Sequence, residues 1–179
     1  MINLLIIDVD GVLTDGRKVY DKSHKVLSKK YLCKDFTAIK RFVAAGIKVV
    51  MLSGDNFNKE MAQKRNIDFY CTRDLNLSLD KSQFLQIFEE KYNVPIENMA
   101  FVGDDYFDLT IIKKLDYTFC PSDSPKIVKD ECEVVLKSVG GDGVIVELYD
   151  VLVNKYFNEP SLNDVLELDK KEISSEEMC

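Results

Sequence analysis

The sequence predicts an α/β fold: a doubly wound, mainly parallel sheet with helices on both faces and a small β-hairpin insertion. Three observations predict it. Strand-like segments at 4–7, 47–52, 67–71, 99–102, 117–120 and 133–136 alternate with helical patterns. The first, Leu4-Leu5-Ile6-Ile7, is continuously apolar, which suits a strand covered on both faces. Three of the segments run directly into polar loops: Asp8-Val9-Asp10, Ser53-Gly54-Asp55 and Gly103-Asp104-Asp105.

The elements follow in order. After the first strand, residues 17–33 read as a hairpin, with Lys18-Val19-Tyr20 and Lys25-Val26-Leu27 flanking a turn at Asp21-Lys22-Ser23-His24. Asp35 suits the N-cap of a helix from Phe36 to Ala45, and Gly46 its C-terminal stop. The strand at 47–52 leads through Ser53-Gly54 into a helix ending near Asn66, then a short strand at 67–71. Phe84, Leu85, Ile87 and Phe88 mark one face of a helix spanning Ser78 to Tyr92. Beyond the strand at 99–102 come a helix to Leu115, strands at 117–120 and 133–136, and a last helix from Val144 to Phe157 after Gly140-Gly141-Asp142-Gly143.

A chain of 179 residues suits one domain, expected here over 1–158. The net charge is -7, and seven acids against two lysines fall within 159–179, so this segment reads as an acidic, mobile tail. The single histidine, His24, excludes mechanisms built on a histidine pair. No basic face offers itself to nucleic acid. Cys33, Cys71, Cys120, Cys132 and Cys179 form no CxxC, which argues against a zinc ribbon or a secreted disulfide scaffold and suits a reducing cytosol. No run approaches the roughly 20 apolar residues that span a bilayer, and the short apolar amino terminus lacks the basic region of a signal peptide. The expectation is a soluble, cytoplasmic protein with no nucleic-acid or membrane partner.

Ligands of open α/β sheets bind beyond the carboxyl ends of the strands, where this chain places its unusual residues. Asp8 and Asp10, two apart in extended chain, project to one side. Crowded carboxylates repel unless a cation lies between them. With Asp104 added, these hard oxygen donors fit magnesium and a substrate phosphate. Asp8 then suits a carboxylate nucleophile at phosphorus, and Asp10 an acid that protonates the leaving oxygen and later a base toward water. Ser53 and Lys81 suit the phosphoryl oxygens. Singly, each residue has a plainer reading: a turn former, a helix N-cap, a solvated lysine. Together, as acidic pairs ending two separate apolar strands with a hydroxyl and a lysine in order between them, they are far more specific.

The arrangement resembles the haloacid dehalogenase-like phosphotransferases. Asp8-Val9-Asp10-Gly11-Val12-Leu13-Thr14 is similar to their first motif, and Ser53, Lys81 and Gly103-Asp104-Asp105 to the other three. The resemblance implies an aspartyl-phosphate on Asp8, acid/base work by Asp10, and magnesium held by Asp8, the main-chain carbonyl of Asp10, and Asp104. Asp105 would support the metal's waters, and Asp108 would be structural. The gaps between motifs leave no room for a cap domain.

Gly11-Val12-Leu13-Thr14-Asp15-Gly16, the hairpin and the Gly140–Gly143 stretch resemble, more narrowly, 3-deoxy-D-manno-octulosonate 8-phosphate phosphatases and their nine-carbon sugar-acid relatives. That implies a phosphatase of a 2-keto-3-deoxy sugar-acid phosphate. It also implies a homotetramer in which one subunit closes its neighbour's site. This chain departs from the pattern at three places: Asp55 follows Ser53-Gly54 where an arginine is usual, Lys34-Asp35 replaces Arg-Asp, and Asp142 replaces an arginine. Fewer guanidinium groups weaken bidentate carboxylate recognition, which shifts weight toward nine-carbon substrates. Gly54, Asp55, Lys34 and Lys64 are the candidate substrate-binding residues, with Asp55 and Lys64 as a pair. Three alternatives stand beside this reading: a phospho-accepting receiver domain, a silent assembly module of a cytidylyltransferase system, and a capless phosphatase acting on another sugar phosphate or a macromolecule.

Overall fold

The computed structural model describes residues 1–74 and 80–176, with side chains through residue 172. In chain order the strands are β1 (Leu4–Ile7), β2 (Val19–Tyr20), β3 (Val26–Ser28), β4 (Lys48–Ser53), β5 (Asp68–Cys71), β6 (Met99–Val102), β7 (Tyr117–Cys120) and β8 (Val134–Val135). The helices are α1 (Cys33–Ala44), α2 (Lys59–Lys64), α3 (Gln83–Tyr92), α4 (Leu109–Ile112), α5 (Lys126–Glu131), α6 (Val144–Leu152) and α7 (Leu162–Glu176). Six strands form one sheet in the order β5-β4-β1-β6-β7-β8. Every pairing in it is parallel. Strands β2 and β3 pair antiparallel as the separate hairpin.

Strand residues alternate between two apolar layers because successive side chains point to opposite faces. Leu5, Ile7, Val49 and Met51 pack with α1 and α6 through Phe42, Leu148 and Tyr149. Leu4, Ile6, Val50 and Leu52 pack with α3 and α4 through Phe84, Phe88 and Ile111. The doubly wound, capless architecture expected from the sequence is the one observed. β1 is central: the chain winds outward on one side through β4 and β5, then returns to the other side through β6, β7 and β8. This reversal opens a crevice at the carboxyl end of β1.

Several boundaries differ from expectation. Asp35 does not cap α1, which begins two residues earlier at Cys33. It caps α6 instead, accepting from the amides of Ile145 at 3.0 Å and Val146 at 3.1 Å. Helix α6 stops at Leu152 rather than Phe157, where Val153 turns extended and Asn154 takes a left-handed conformation at φ 63°. Helix α5, opening after Pro125, lies in a stretch left unassigned from the sequence, although proline suits a helix start. The expected start at Ser78 lies outside the described residues.

The acid-rich carboxyl-terminal segment departs most. Composition marks it as a mobile tail; in the structure it forms α7, packed against α1 and α2. Asp169 and Glu172 pair with Lys40, Glu172 also pairs with Arg65, and Glu159 pairs with Arg41 at 2.8 Å. The cations that hold this segment lie more than a hundred residues away in sequence, so local composition carries no sign of them. Among the described residues, no helix is long and apolar enough to cross a membrane.

Candidate active site

Backbone geometry builds the site first. After β1 the chain turns sharply at Gly11, whose φ is 90°. A Cβ there would lie 2.0 Å from Asp104 Oδ2, so only glycine lets the loops after β1 and β6 meet. Gly140 lies just as close to the first loop: a Cβ on it would sit 2.2 Å from the Gly11 carbonyl oxygen.

Asp8, buried at 5% exposure, lies where β1 ends. Lys81 lies 2.7 Å from its Oδ1 and also contacts Asp108 Oδ1. The other Asp108 oxygen accepts from the amides of Asp104 and Asp105, both at 2.9 Å. Every acceptor of Asp108 is thus engaged within the protein, which makes it the scaffold of the β6 loop. Carboxylate oxygens of Asp8, Asp104 and Asp108 gather within 4.8 Å of one another.

The electrostatics are those of a carboxylate cluster short of positive charge. Burial, reinforced by Asp108 and opposed by Lys81, pushes the Asp8 carboxyl up to about 7. Burial, with Asp8 and Asp108 adding to it, pushes Asp104 up to about 9. Burial disfavours the Lys81 ammonium, yet the two aspartates beside it outweigh that and raise its pKa. Asp104 Oδ1 is buried without a hydrogen-bond partner. An orphaned carboxylate oxygen beside a second carboxylate is the donor set a hard divalent cation requires, so Asp8 and Asp104 fit a metal.

Of the expected site residues, Asp8, Asp10, Ser53, Gly54, Lys81 and Asp105 line one cleft of about 170 Å³. Ser53, at the end of β4, is buried at 1% exposure and accepts from the Asp55 amide at 3.4 Å. A larger cavity of about 430 Å³ lies beneath α7, lined by aliphatic side chains and by Lys40, Lys48, Arg65 and Lys171, and it lacks the carboxylate cluster.

Asp105 within the cleft, and the remaining candidates, depart from their expected roles. Asp105 is exposed, caps its own turn through the Tyr106 amide at 2.6 Å, and stands outside the carboxylate cluster. Lys34 is exposed on α1 and does not line the cleft. Lys64 is exposed on α2, paired with Glu60 at 3.4 Å, and is not the partner of Asp55. Asp55 caps the turn after β4 through the Phe57 amide at 3.0 Å and pairs with Lys18 at 2.6 Å and Lys29 at 3.2 Å. Burial alone would raise its carboxyl, but the two lysines hold it below the usual range.

Lys18 and Lys29 were not singled out from the sequence. Both come from the hairpin, and both also reach Asp10. The lysine richness of the hairpin was the available signal, though it does not say which lysines point inward. Thr72 and Arg73, on the loop after β5, also line the cleft and had no distinguishing pattern.

Comparison with known proteins agrees with this geometry. The sequence profile of the haloacid dehalogenase-like hydrolases matches residues 55–148. The chain is 31% identical over 152 residues to the 3-deoxy-D-manno-octulosonate 8-phosphate phosphatase of Haemophilus influenzae, covering 85% of this chain and 83% of that one. It is 27% identical to the same phosphatase of Escherichia coli K12, over 85% and 79% of the two chains. The cobalt-bound structure of the Haemophilus influenzae phosphatase superposes with a TM-score of 0.76 at 28% identity, over 96% of this chain and 91% of that one. The chain belongs to the haloacid dehalogenase-like hydrolases, as a phosphatase without a cap domain.

Proposed function

We propose that the protein is a magnesium-dependent phosphomonoester hydrolase of 2-keto-3-deoxy sugar-acid phosphates, either a nine-carbon 9-phosphate or octulosonate 8-phosphate. The observation that carries this reading is Asp8 held by Lys81 at 2.7 Å, beside the partnerless Asp104 oxygen, at the crevice where the sheet reverses. The substrate class is supported by the octulosonate 8-phosphate phosphatase at 31% identity.

Asp8 attacks phosphorus and becomes the aspartyl phosphate, with Lys81 orienting its carboxylate and offsetting phosphoryl charge. Asp10 protonates the departing sugar oxygen and then takes a proton from the attacking water. Ser53 donates its hydroxyl to a phosphoryl oxygen. Held by Asp8, Asp104 and the Asp10 carbonyl, magnesium would neutralise the phosphate and position it in line. Asp108 fixes the loop that carries Asp104.

The same reading includes a cytoplasmic homotetramer in which a neighbouring subunit closes the cleft. Val19, Tyr20 and Leu27 stand 53–60% exposed on the hairpin, an apolar surface that suits such packing. Phosphate release from a panel of sugar phosphates tests the activity, with Asp8→Asn as control. Sugar-acid phosphates are expected to exceed hexose phosphates by about tenfold or more in kcat/KM, and Asp8→Asn is expected to be inactive. Equal turnover by Asp8→Asn would exclude Asp8 as nucleophile. A native mass of one 20.5 kDa chain would exclude closure by a neighbour and favour a macromolecular substrate.

A further inference from the structure

We propose that Lys29, carried by the hairpin, is the positioning residue that aims the Asp10 carboxyl at the departing oxygen; this rests on the phosphatase reading above. Its Nζ lies 2.8 Å from Asp10 Oδ1 and 2.9 Å from Oδ2, astride both oxygens. The Lys29 side chain is 0% exposed, and lysine is almost never so enclosed unless it is paired. Nζ also reaches both Asp55 oxygens, at 3.3 and 3.2 Å, and sits 5.3 Å from the centroid of the Phe57 ring. Lys18 completes the group, 2.6 Å from Asp55 and 3.1 Å from Asp10. Two lysines and two aspartates thus meet where the hairpin joins the cleft.

Lys29 differs from Lys18 in its hold on Asp10. Lys18 lies farther from Asp10, at 3.1 Å from Oδ2, and its side chain is 23% exposed. The Thr14 hydroxyl reaches Asp10 only at 3.5 Å. The terminal torsion of an aspartate is broad, so a partner that bridges both oxygens sets the plane of the carboxyl. The hairpin, remote in sequence from the other three motifs, becomes part of the acid/base apparatus through one side chain.

The chemistry gives this role a distinct signature. As the Asp8 oxygen bonds to phosphorus and the ester P–O bond breaks, the proton on Asp10 passes to the departing oxygen. A sugar alkoxide requires that proton, whereas 4-nitrophenolate is a weak base and leaves without it. In the second step water oxygen bonds to phosphorus, the Asp8–phosphorus bond breaks, and a water proton returns to Asp10. kcat/KM ends with departure of the leaving group, so this second step drops out of it.

The test is kcat/KM for Lys29→Met on an alkyl phosphate monoester and on 4-nitrophenyl phosphate. The alkyl ester is expected to lose about tenfold or more, and the aryl ester less than about threefold. Retained aryl turnover also certifies folding. If Lys29→Met does not fold, the same ratio is read on Lys29→Gln, which is uncharged and one atom too short to bridge both Asp10 oxygens. Equal loss on the two esters overturns the proposal, because a general disturbance of the cleft would slow both alike. If wild-type protein hydrolyses neither these esters nor a sugar-acid phosphate, or Asp8→Asn matches it, the phosphatase reading itself fails and this role falls with it.

Discussion

The Asp35 carboxylate accepts the amide of Ile145 at 3.0 Å, joining the start of α1 to the start of α6 across 110 residues of sequence. The same oxygen accepts from Val146 at 3.1 Å, while Asp35 Oδ2 is buried without a hydrogen-bond partner. One side chain thereby satisfies two orphan donors of a helix it does not belong to. Asp35→Ala is expected to cost about 2 kcal/mol, the upper end for a lost cap, and Asp35→Asn less, read by urea unfolding. Burial raises the Asp35 carboxyl from 3.8, against the amides that lower it. A raised acid binds its proton more tightly in the folded chain, so its contribution falls as pH rises from the unfolded value through the folded one. Asp35→Asn should flatten that part of the stability profile; an unchanged slope would mean that Asp35 does not contribute to it.

Asp104 offers a buried oxygen with no partner, and a cation would supply one. Magnesium at a hundredfold excess over its dissociation constant should stabilise wild-type protein by about 2.7 kcal/mol, visible as a higher melting temperature. Asp104→Asn should abolish most of that gain and leave the metal-free melting temperature equal or higher, since it removes a crowded acid. A wild-type-sized magnesium shift in Asp104→Asn would remove Asp104 from the metal site.

Glu172 on α7 is 6% exposed and pairs with both Lys40 and Arg65. Removing its charge leaves two partly buried cations short of an acid. Glu172→Ala should cost about 2 kcal/mol, below the range for fully buried pairs because the cations stay partly solvated. Amide exchange along α7 should speed up while β1 and β6 keep their protection. Unchanged exchange in α7 would show that the ion pairs do not hold the helix.

Much of the cleft was legible from local pattern. Asp8, Asp10, Ser53 and Asp104 could be placed because each falls within three residues of an apolar run that reads as a strand, and strand ends converge in an open α/β sheet. Lys81 was legible only through its place in order between Ser53 and Asp104, since a lone lysine on a helical segment carries no signal of burial. The pairing of Asp55 with Lys64 came from the resemblance to nine-carbon sugar-acid phosphatases, yet the hairpin supplies its partners. That hairpin holds five lysines, at 18, 22, 25, 29 and 30, and nothing in their spacing separates the two that turn inward.

The sequence by itself determined the sheet, its parallel sense and the acidic strand ends, because hydrophobic period and strand-end chemistry are local. Tertiary structure decided what depends on chain segments meeting. It made Asp35 the cap of α6, made Asp108 the scaffold for Asp104, and bound the acid-rich segment to α1 and α2 as α7. It also put Lys18 and Lys29 beside Asp10. Each of these is a long-range pairing of charge or of backbone donors, and such a pairing has a counterpart only once the fold has brought it within hydrogen-bond distance.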